Sequence, residues 1–353
     1  MKIALVVPQP VPYVVGGAQN LWAGLIDAFS AEADHELHLI ECPSLESHAK
    51  EILDSYLYFS QLDVSAYDAV LSTKYPAWCV NHPRHVVYLQ HTLRGLYDTY
   101  PQQLLMWESH VDGLIHNLPL PQSYRQLLMV GHAYPDLGQV DLLDFIQCLQ
   151  HLYQQQPNAT APWGLLWDFP GPFMRRVVQA MDALALQTQR IHRYAAISAT
   201  VAQRQNYFPP RVSVEVLHHP SHLLHASSHQ ASIADTLPAT YVFTASRLEH
   251  PKRIDWMMQA YANSGLSQDL VIAGVGPEMS TLQQLAQQLL PGRIHVLGRV
   301  SETDLDALYQ GATGVVFVPQ DEDWGLITVE ALERGQAVLT TTDAGGPTEI
   351  IVS

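Results

Sequence analysis

Charge is scarce in this 353-residue chain. Only 15% of its residues are Asp, Glu, Lys or Arg, and the basic ones number 18 against 34 acidic. A formal charge of −16 argues against binding nucleic acid through its phosphates and against general attraction to anionic lipid. Cysteine is scarcer still. Cys42, Cys79 and Cys148 lie far apart with no C-x-x-C spacing, which fits reduced thiols in a cytoplasmic protein rather than a disulfide framework. No run reaches the ~18 apolar residues of a membrane span. The apolar start at residues 1–8 lacks the longer core and small-residue cleavage site of a signal peptide. Three catalytic signatures are also missing. There is no His-Glu-x-x-His, no Asp-x-Asp in a convincing metal context and no complete G-x-G-x-x-G. His218 with His222 and His225 with His229 have His-x-x-x-His spacing, but they fall in a linker-like stretch, so no metal site is expected.

What remains is globular protein, 47% apolar. Its length suits two domains of about 100–200 residues each. Residues 2–7 read as a buried strand, followed by a Pro-rich stretch, Gly16-Gly17 and a helical pattern carried by Leu21, Trp22, Leu25, Ile26 and Phe29. Further strands are expected at 36–40, 69–72, 86–89 and 113–116. Residues 119–190 break this rhythm and read as a helical insertion, with helices at 141–153 and 173–190. Strand character resumes at 194–197 and 212–217. Residues 218–238, rich in Ser and His, read as a linker. A second series of strands follows at 241–245, 270–273, 293–297, 314–318 and 337–341, separated by helical stretches at 254–261, 279–290 and 303–310. The expected architecture is α/β: a domain at 1–217, the linker at 218–238 and a domain at 239–353, both Rossmann-like, doubly wound and facing across a cleft. Ligands in such sheets bind at the carboxyl ends of the strands.

Four features of the second domain fall at such ends. Residues 218–353 hold only six basic side chains, and Arg247, Lys252 and Arg253 lie within seven positions just after a strand. That cluster reads either as an anion site or as a solvated turn. Gly274-Val275-Gly276 reads as a tight turn before a helix. Glu322 precedes Trp324-Gly325, where a helix start would offer free N–H groups to phosphate. Glu330 lies about 7–8 Å further along the helix axis. Asp343-Ala344-Gly345-Gly346 reads either as an anion nest or as an ordinary turn.

Together these segments resemble glycosyltransferase family 4, the group 1 retaining glycosyltransferases of GT-B fold. Ser-Arg-Leu-x-x-x-Lys carries Arg247 and Lys252, Glu-x7-Glu spans Glu322 to Glu330, and Gly345-Gly346-Pro347-Thr348-Glu349 and Leu297-Gly298-Arg299-Val300 stand in order with them over residues 241–351. By resemblance, Arg247 and Lys252 hold the donor diphosphate, Glu322 contacts donor-sugar hydroxyls and Glu330 the ribose. The main chain at Trp324, Gly325, Leu326 and Ile327 meets phosphate or sugar, and that at Arg299 and Val300 meets the base. In the first domain, Gly16 and Gly17 match the family's glycine loop, and His91 matches a strand-end His that orients hydroxyls.

The resemblance implies a hexosyl transfer from a nucleoside diphosphate sugar to a carbohydrate or lipid-linked acceptor, with retention and without metal or cofactor. It suggests bacterial polysaccharide or glycolipid assembly, in the cytoplasm and in contact with the inner membrane at most peripherally. The family continues beyond the Gly345-Gly346 segment, so a C-terminally truncated second domain is also expected. Two other classes share parts of this pattern. A nicotinamide oxidoreductase would need the missing glycines after a strand. A non-catalytic carbohydrate-binding or scaffold protein would be expected to lose a charge such as Arg247 or Glu322, and both are present.

Overall fold

A computed structural model of the chain describes residues 1–10, 17–31, 34–130, 140–219 and 238–351. Nearly all of the expected linker, Gly16 and the linker histidines from His222 onward lie outside the described residues. The chain divides into two units, Met1–His218 and His219–Ser353.

The first unit is built on a parallel sheet. Its strands are β1 (Lys2–Pro10), β2 (Glu36–Ser44), β3 (Ala69–Lys74) and β4 (His85–His91), followed after a long crossover by β7 (Arg193–Ala196) and β8 (Val214–Val216). The order is β2-β1-β3-β4-β7-β8. Ile3–Val7 are all buried, as a strand covered on both faces requires. Helices α1 (Gly17–Ser30) and α2 (Ala49–Ser60) connect the early strands; α2 starts where the His48 imidazole accepts the Glu51 N–H and turns Ile52, Tyr56 and Phe59 inward.

The crossover from β4 to β7 holds α3 (Glu108–Asn117), α4 (Gln122–Val130), α5 (Leu142–Gln155), a hairpin of β5 (Thr160–Ala161) and β6 (Gly164–Leu165), and α6 (Pro172–Ala185). The strand expected at 113–116 is instead the end of α3. Val111 and Ile115, four residues apart, are its buried stripe. So short a run cannot by itself tell a strand from a turn of buried helix. Helix α6 stops at Ala185, short of the expected Arg190, and is buried almost all round.

Burial of α6 brings a carboxylate inside. Asp182 is 1% exposed and is met by three donors: Tyr56 OH at 2.7 Å, Trp78 Nε1 at 2.9 Å and Tyr97 OH at 2.7 Å. Burial raises its pKa to about 6, and the three hydrogen bonds oppose that rise.

The second unit alternates strand and helix throughout: β9 (Tyr241–Ala245), α8 (Ile254–Asn263), β10 (Asp269–Ala273), α9 (Met279–Leu289), β11 (Ile294–Gly298), α10 (Glu302–Gly311), β12 (Gly314–Val316), α11 (Leu326–Glu333), β13 (Val338–Leu339) and α12 (Pro347–Ile350). All five strands are parallel, in the order β11-β10-β9-β12-β13. Alternate residues of β10 feed two cores. Leu270 and Ile272 pack with Met257, Met258 and Leu282 of α8 and α9; Val271 and Ala273 pack with Leu308, Tyr309 and Ala331 of α10 and α11. Helices therefore cover both faces.

Asp182 binds a proton more readily in the folded chain than in the unfolded one. Its contribution to stability is therefore greatest below pH 4 and is lost as pH rises through 6. Asp182→Asn mimics the protonated acid. In urea unfolding, wild type should lose stability relative to Asp182→Asn by on the order of 2–3 kcal/mol between pH 4 and pH 7. A constant difference would show that Asp182 does not titrate in this range.

Candidate functional site

In the second unit the sheet order reverses between β9 and β12, so the loops after these two strands leave on opposite sides of a crevice where α/β sheets bind ligands. The loop after β9 carries Arg247, Lys252 and Arg253. Leu248 is fully buried and anchors it, while Arg247 stands largely exposed with Nη2 3.2 Å from Glu249 Oε2. The Gly274–Gly276 turn fixes the loop's backbone. Ser246 N–H donates to Ala273 O (3.0 Å), Leu248 N–H to Val275 O (3.0 Å) and Glu278 N–H to Leu248 O (3.1 Å). The fit is close: a Cβ on Gly274, where φ is 135°, would lie 1.7 Å from Ser246 O. This G-x-G positions the arginine loop by letting two backbones touch.

A short 3-10 turn, His250–Lys252, then aims Lys252 across the crevice. Its Nζ lies 2.5 Å from Glu322 Oε2 and 5.9 Å from the centre of the Phe317 ring. Both partners of the ion pair are largely withdrawn from solvent, with 16% and 22% of their side chains exposed. The two loops are also tied through backbone, with Gln320 N–H donating to Pro251 O (2.8 Å). Glu322 is fixed from its other side by the segment after β13. Its N–H donates to Ala344 O (2.8 Å), and its carbonyl accepts the Gly346 N–H (2.9 Å). A Cβ on Gly345 would lie 2.5 Å from that carbonyl. Arg253 closes the arrangement with two bonds to Asp343, 3.1 and 2.7 Å long, which hold the Asp343 carboxyl down at about pKa 2.

Helix α11 begins at Leu326, directly after this cluster. Gly325 is its N-cap and supplies no side-chain acceptor, so the first-turn N–H groups at Leu326 and Ile327 have no side-chain cap. Trp324 beside it is buried. A cation, a carboxylate and a helix start thus converge at the switch point, a combination suited to a phosphate ester that also bears hydroxyls.

Other expected residues lie apart from this pair. Glu330 is half-buried on α11 and accepts from Tyr309 OH at 2.8 Å. Burial raises its pKa, against the pull of Tyr309 and Arg334. Arg299 is exposed and Val300 half-buried, just beyond β11 at the edge of the sheet. Among the described residues no three His, Cys, Asp or Glu side chains are grouped to hold a metal ion. Neither the pairing of Arg253 with Asp343 nor a role for Tyr309 was readable from the sequence. The cluster at 247–253 and the Asp-Ala-Gly-Gly segment held the signal for the first two; nothing in spacing marks Tyr309.

In the first unit, Gly17 opens α1 and Gly16 lies outside the described residues. His91 ends β4, and its Nδ1 lies 2.7 Å from Thr92 O. A carbonyl only accepts, so Nδ1 carries the hydrogen and Nε2 is an acceptor. Burial, reinforced by Lys74, lowers the His91 pKa to about 3. Such an imidazole is neutral and a weak base. It suits holding a hydroxyl better than removing its proton.

Residues 230–353 match the model of the family described as glycosyl transferases group 1. The match covers about a third of the chain, all of it within the second unit. Over the whole chain the fold is similar to that of HepE from Anabaena in complex with UDP-glucose, with a TM-score of 0.57 and 13% identity, covering 99% of this chain and 83% of that one. It is likewise similar to a glycosyltransferase from Rickettsia africae, with a TM-score of 0.54 and 11% identity, covering 100% and 82%. Against S. aureus TarM the identity is 19% and the TM-score 0.37, over 45% of this chain and 32% of that one; the chain spans about a third of that relative. No curated protein matches the chain. At these identities the likeness speaks of fold, and the fold is GT-B. The group 1 match takes in every second-unit residue described above, Arg247 through Gly346.

The contact at Gly274 yields a direct test. Gly274→Ala should destabilise the second unit by at least about 2 kcal/mol in urea unfolding, because the methyl must displace Ser246 and the backbone must leave a glycine-only region. An unchanged midpoint would show that the arginine loop is not seated there.

Proposed function

We propose that the chain transfers a hexosyl unit from a nucleoside diphosphate sugar to an acceptor hydroxyl with retention of anomeric configuration. The observation that carries this reading is the Lys252–Glu322 pair at the β9/β12 switch point, next to the start of α11. The group 1 family match over the same residues supports it.

In this scheme the donor diphosphate takes Lys252 from Glu322, and the freed carboxylate accepts from a sugar hydroxyl. Arg247 turns from Glu249 to the phosphates. The bond between the anomeric carbon and the β-phosphate oxygen breaks, and the acceptor oxygen bonds to the same face of that carbon. The acceptor's proton passes to a departing phosphate oxygen. Lys252, Arg247 and the N–H groups of Leu326 and Ile327 stabilise the charge that develops there. The scheme calls for no metal and no cofactor. Glu330 meets the ribose, with Tyr309 holding its carboxyl in place, and Arg299 and Val300 border the base. The first unit takes the acceptor, with His91 accepting from one of its hydroxyls. A carbohydrate or lipid-linked acceptor, in polysaccharide or glycolipid assembly at the cytoplasmic side of a membrane, is the setting we infer. No described helix is long and apolar enough to cross a membrane.

Thermal shift with UDP, GDP, ADP and dTDP, with NAD as control, should show stabilisation by one nucleoside diphosphate that Arg247→Ala abolishes. Lys252→Ala and Glu330→Ala should each lower turnover of the matching sugar nucleotide by at least ~100-fold, as for lost charge contacts in a transition state. Near-normal turnover in both would overturn the site assignment. NMR of the product's anomeric proton tests retention, and an inverted product would refute it.

A further inference from the structure

The residue after Lys252 and the residue before Glu322 share an uncommon backbone conformation. Arg253 has φ 52° and Asp321 φ 49°, in the left-handed region that favours glycine. Among the described residues the only other non-glycine positions with positive φ are Asn206 and Arg211, past α7 (Ala199–Gln203) in the first unit. In the second unit the conformation is therefore confined, outside glycine, to these two neighbours of the ion pair. Asp343 joins them. Its carboxylate takes both bonds from the Arg253 guanidinium, and its carbonyl accepts the Asp321 N–H at 3.0 Å. The Arg253 guanidinium carbon also lies 5.5 Å from the centre of the Trp256 ring, so the fork is held on a second side. The next residue, Ala344, accepts the Glu322 N–H. One two-residue segment thus grips the loop of Lys252 through a side chain and the loop of Glu322 through backbone.

Stability does not call for this arrangement. Left-handed backbone costs free energy at a residue that carries a side chain, and glycine at either position would remove that cost. The ion pair offsets little of it, since the Asp343 side chain is 59% exposed. Strain that a specific contact maintains beside two functional groups points to their placement. Placement also matters unequally to the two. Lys252 is a flexible point charge that can follow a phosphate, whereas a carboxylate must meet hydroxyls at hydrogen-bonding geometry.

We infer that Asp343 is a positioning residue. Through Arg253 and Asp321 it sets Glu322 in register with Lys252, so that a sugar held by the carboxylate stands beside the diphosphate held by the cation. Its effect on a ligand rests on the reading of Glu322 as a sugar contact, but its effect on the ion pair does not.

Urea unfolding of the full chain tests the register without ligand. A double-mutant cycle of Lys252→Met and Glu322→Gln measures the coupling between the two side chains, and Asp343→Ala should reduce that coupling by at least about half. A coupling absent from the wild-type chain, or undiminished in Asp343→Ala, would overturn the inference. Titration calorimetry with UDP and UDP-glucose as probes tests the consequence. Asp343→Ala should weaken UDP-glucose binding at least about tenfold and leave UDP within about twofold, because only the sugar needs Glu322. Arg253→Gly relieves the left-handed backbone, so it should cost little stability while weakening UDP-glucose in the same way. Equal losses for both probes would mark a merely structural role and overturn the inference. A wild-type chain that binds neither probe would count against the donor site, and the unfolding cycle would still decide this inference.

Discussion

Everything in the second unit follows from the reversal of strand order between β9 and β12. Crossovers send the chain to one side of β9 for β10 and β11 and to the other side for β12 and β13. The loop after β9 leads to α8 on one face of the sheet and the loop after β12 to α11 on the other, so the two diverge at the carboxyl ends of their strands. One loop brings cations and the other brings a carboxylate and a helix start. The Lys252–Glu322 pair spans the gap, and the Gln320–Pro251 backbone bond sets its width. Desolvation makes such a pair costly to break by removing one partner and leaves it only modestly stabilising when intact. Its value lies in holding each group ready for a different part of a ligand.

The glycines show how backbone contact can substitute for side-chain chemistry. Gly274 and Gly345 each lie against the carbonyl of a functional loop, Ser246 in one case and Glu322 in the other. Each removes a side chain so that a neighbouring loop can be hydrogen-bonded at full approach. The functional side chains then stand on loops whose backbone is fixed at both ends.

Much of this was legible in the sequence because each signal was local. The second-unit strands are short apolar runs, and they emerged within a few residues of their expected bounds. The cluster of Arg247, Lys252 and Arg253 was visible because basic residues are so rare around it. The pairing of Lys252 with Glu322, 70 residues apart, was not readable from spacing; the family resemblance gave both residues roles without joining them. Tyr309 lay hidden because one hydroxyl on an amphipathic helix looks like any other core aromatic. The stretch at 113–116 failed as a strand because so short a run carries no usable period. In α6 the helix itself was legible, and only its end was not, since it stops at Ala185 and not at the expected Arg190.

Asp182 also constrains the order of events during synthesis. Its three donors lie 85, 104 and 126 residues upstream. β4 must likewise wait for β7 to supply its other edge. A ribosome that has released β1 through β4 has therefore delivered a sheet with one edge open and the core groove for α6 empty. Contacts this distant in sequence form slowly, since the loop must close before they repay its entropy. The nascent first unit stays exposed until β7, ending at Ala196, has cleared the exit tunnel, which makes those intermediate lengths the ones a chaperone would have to guard.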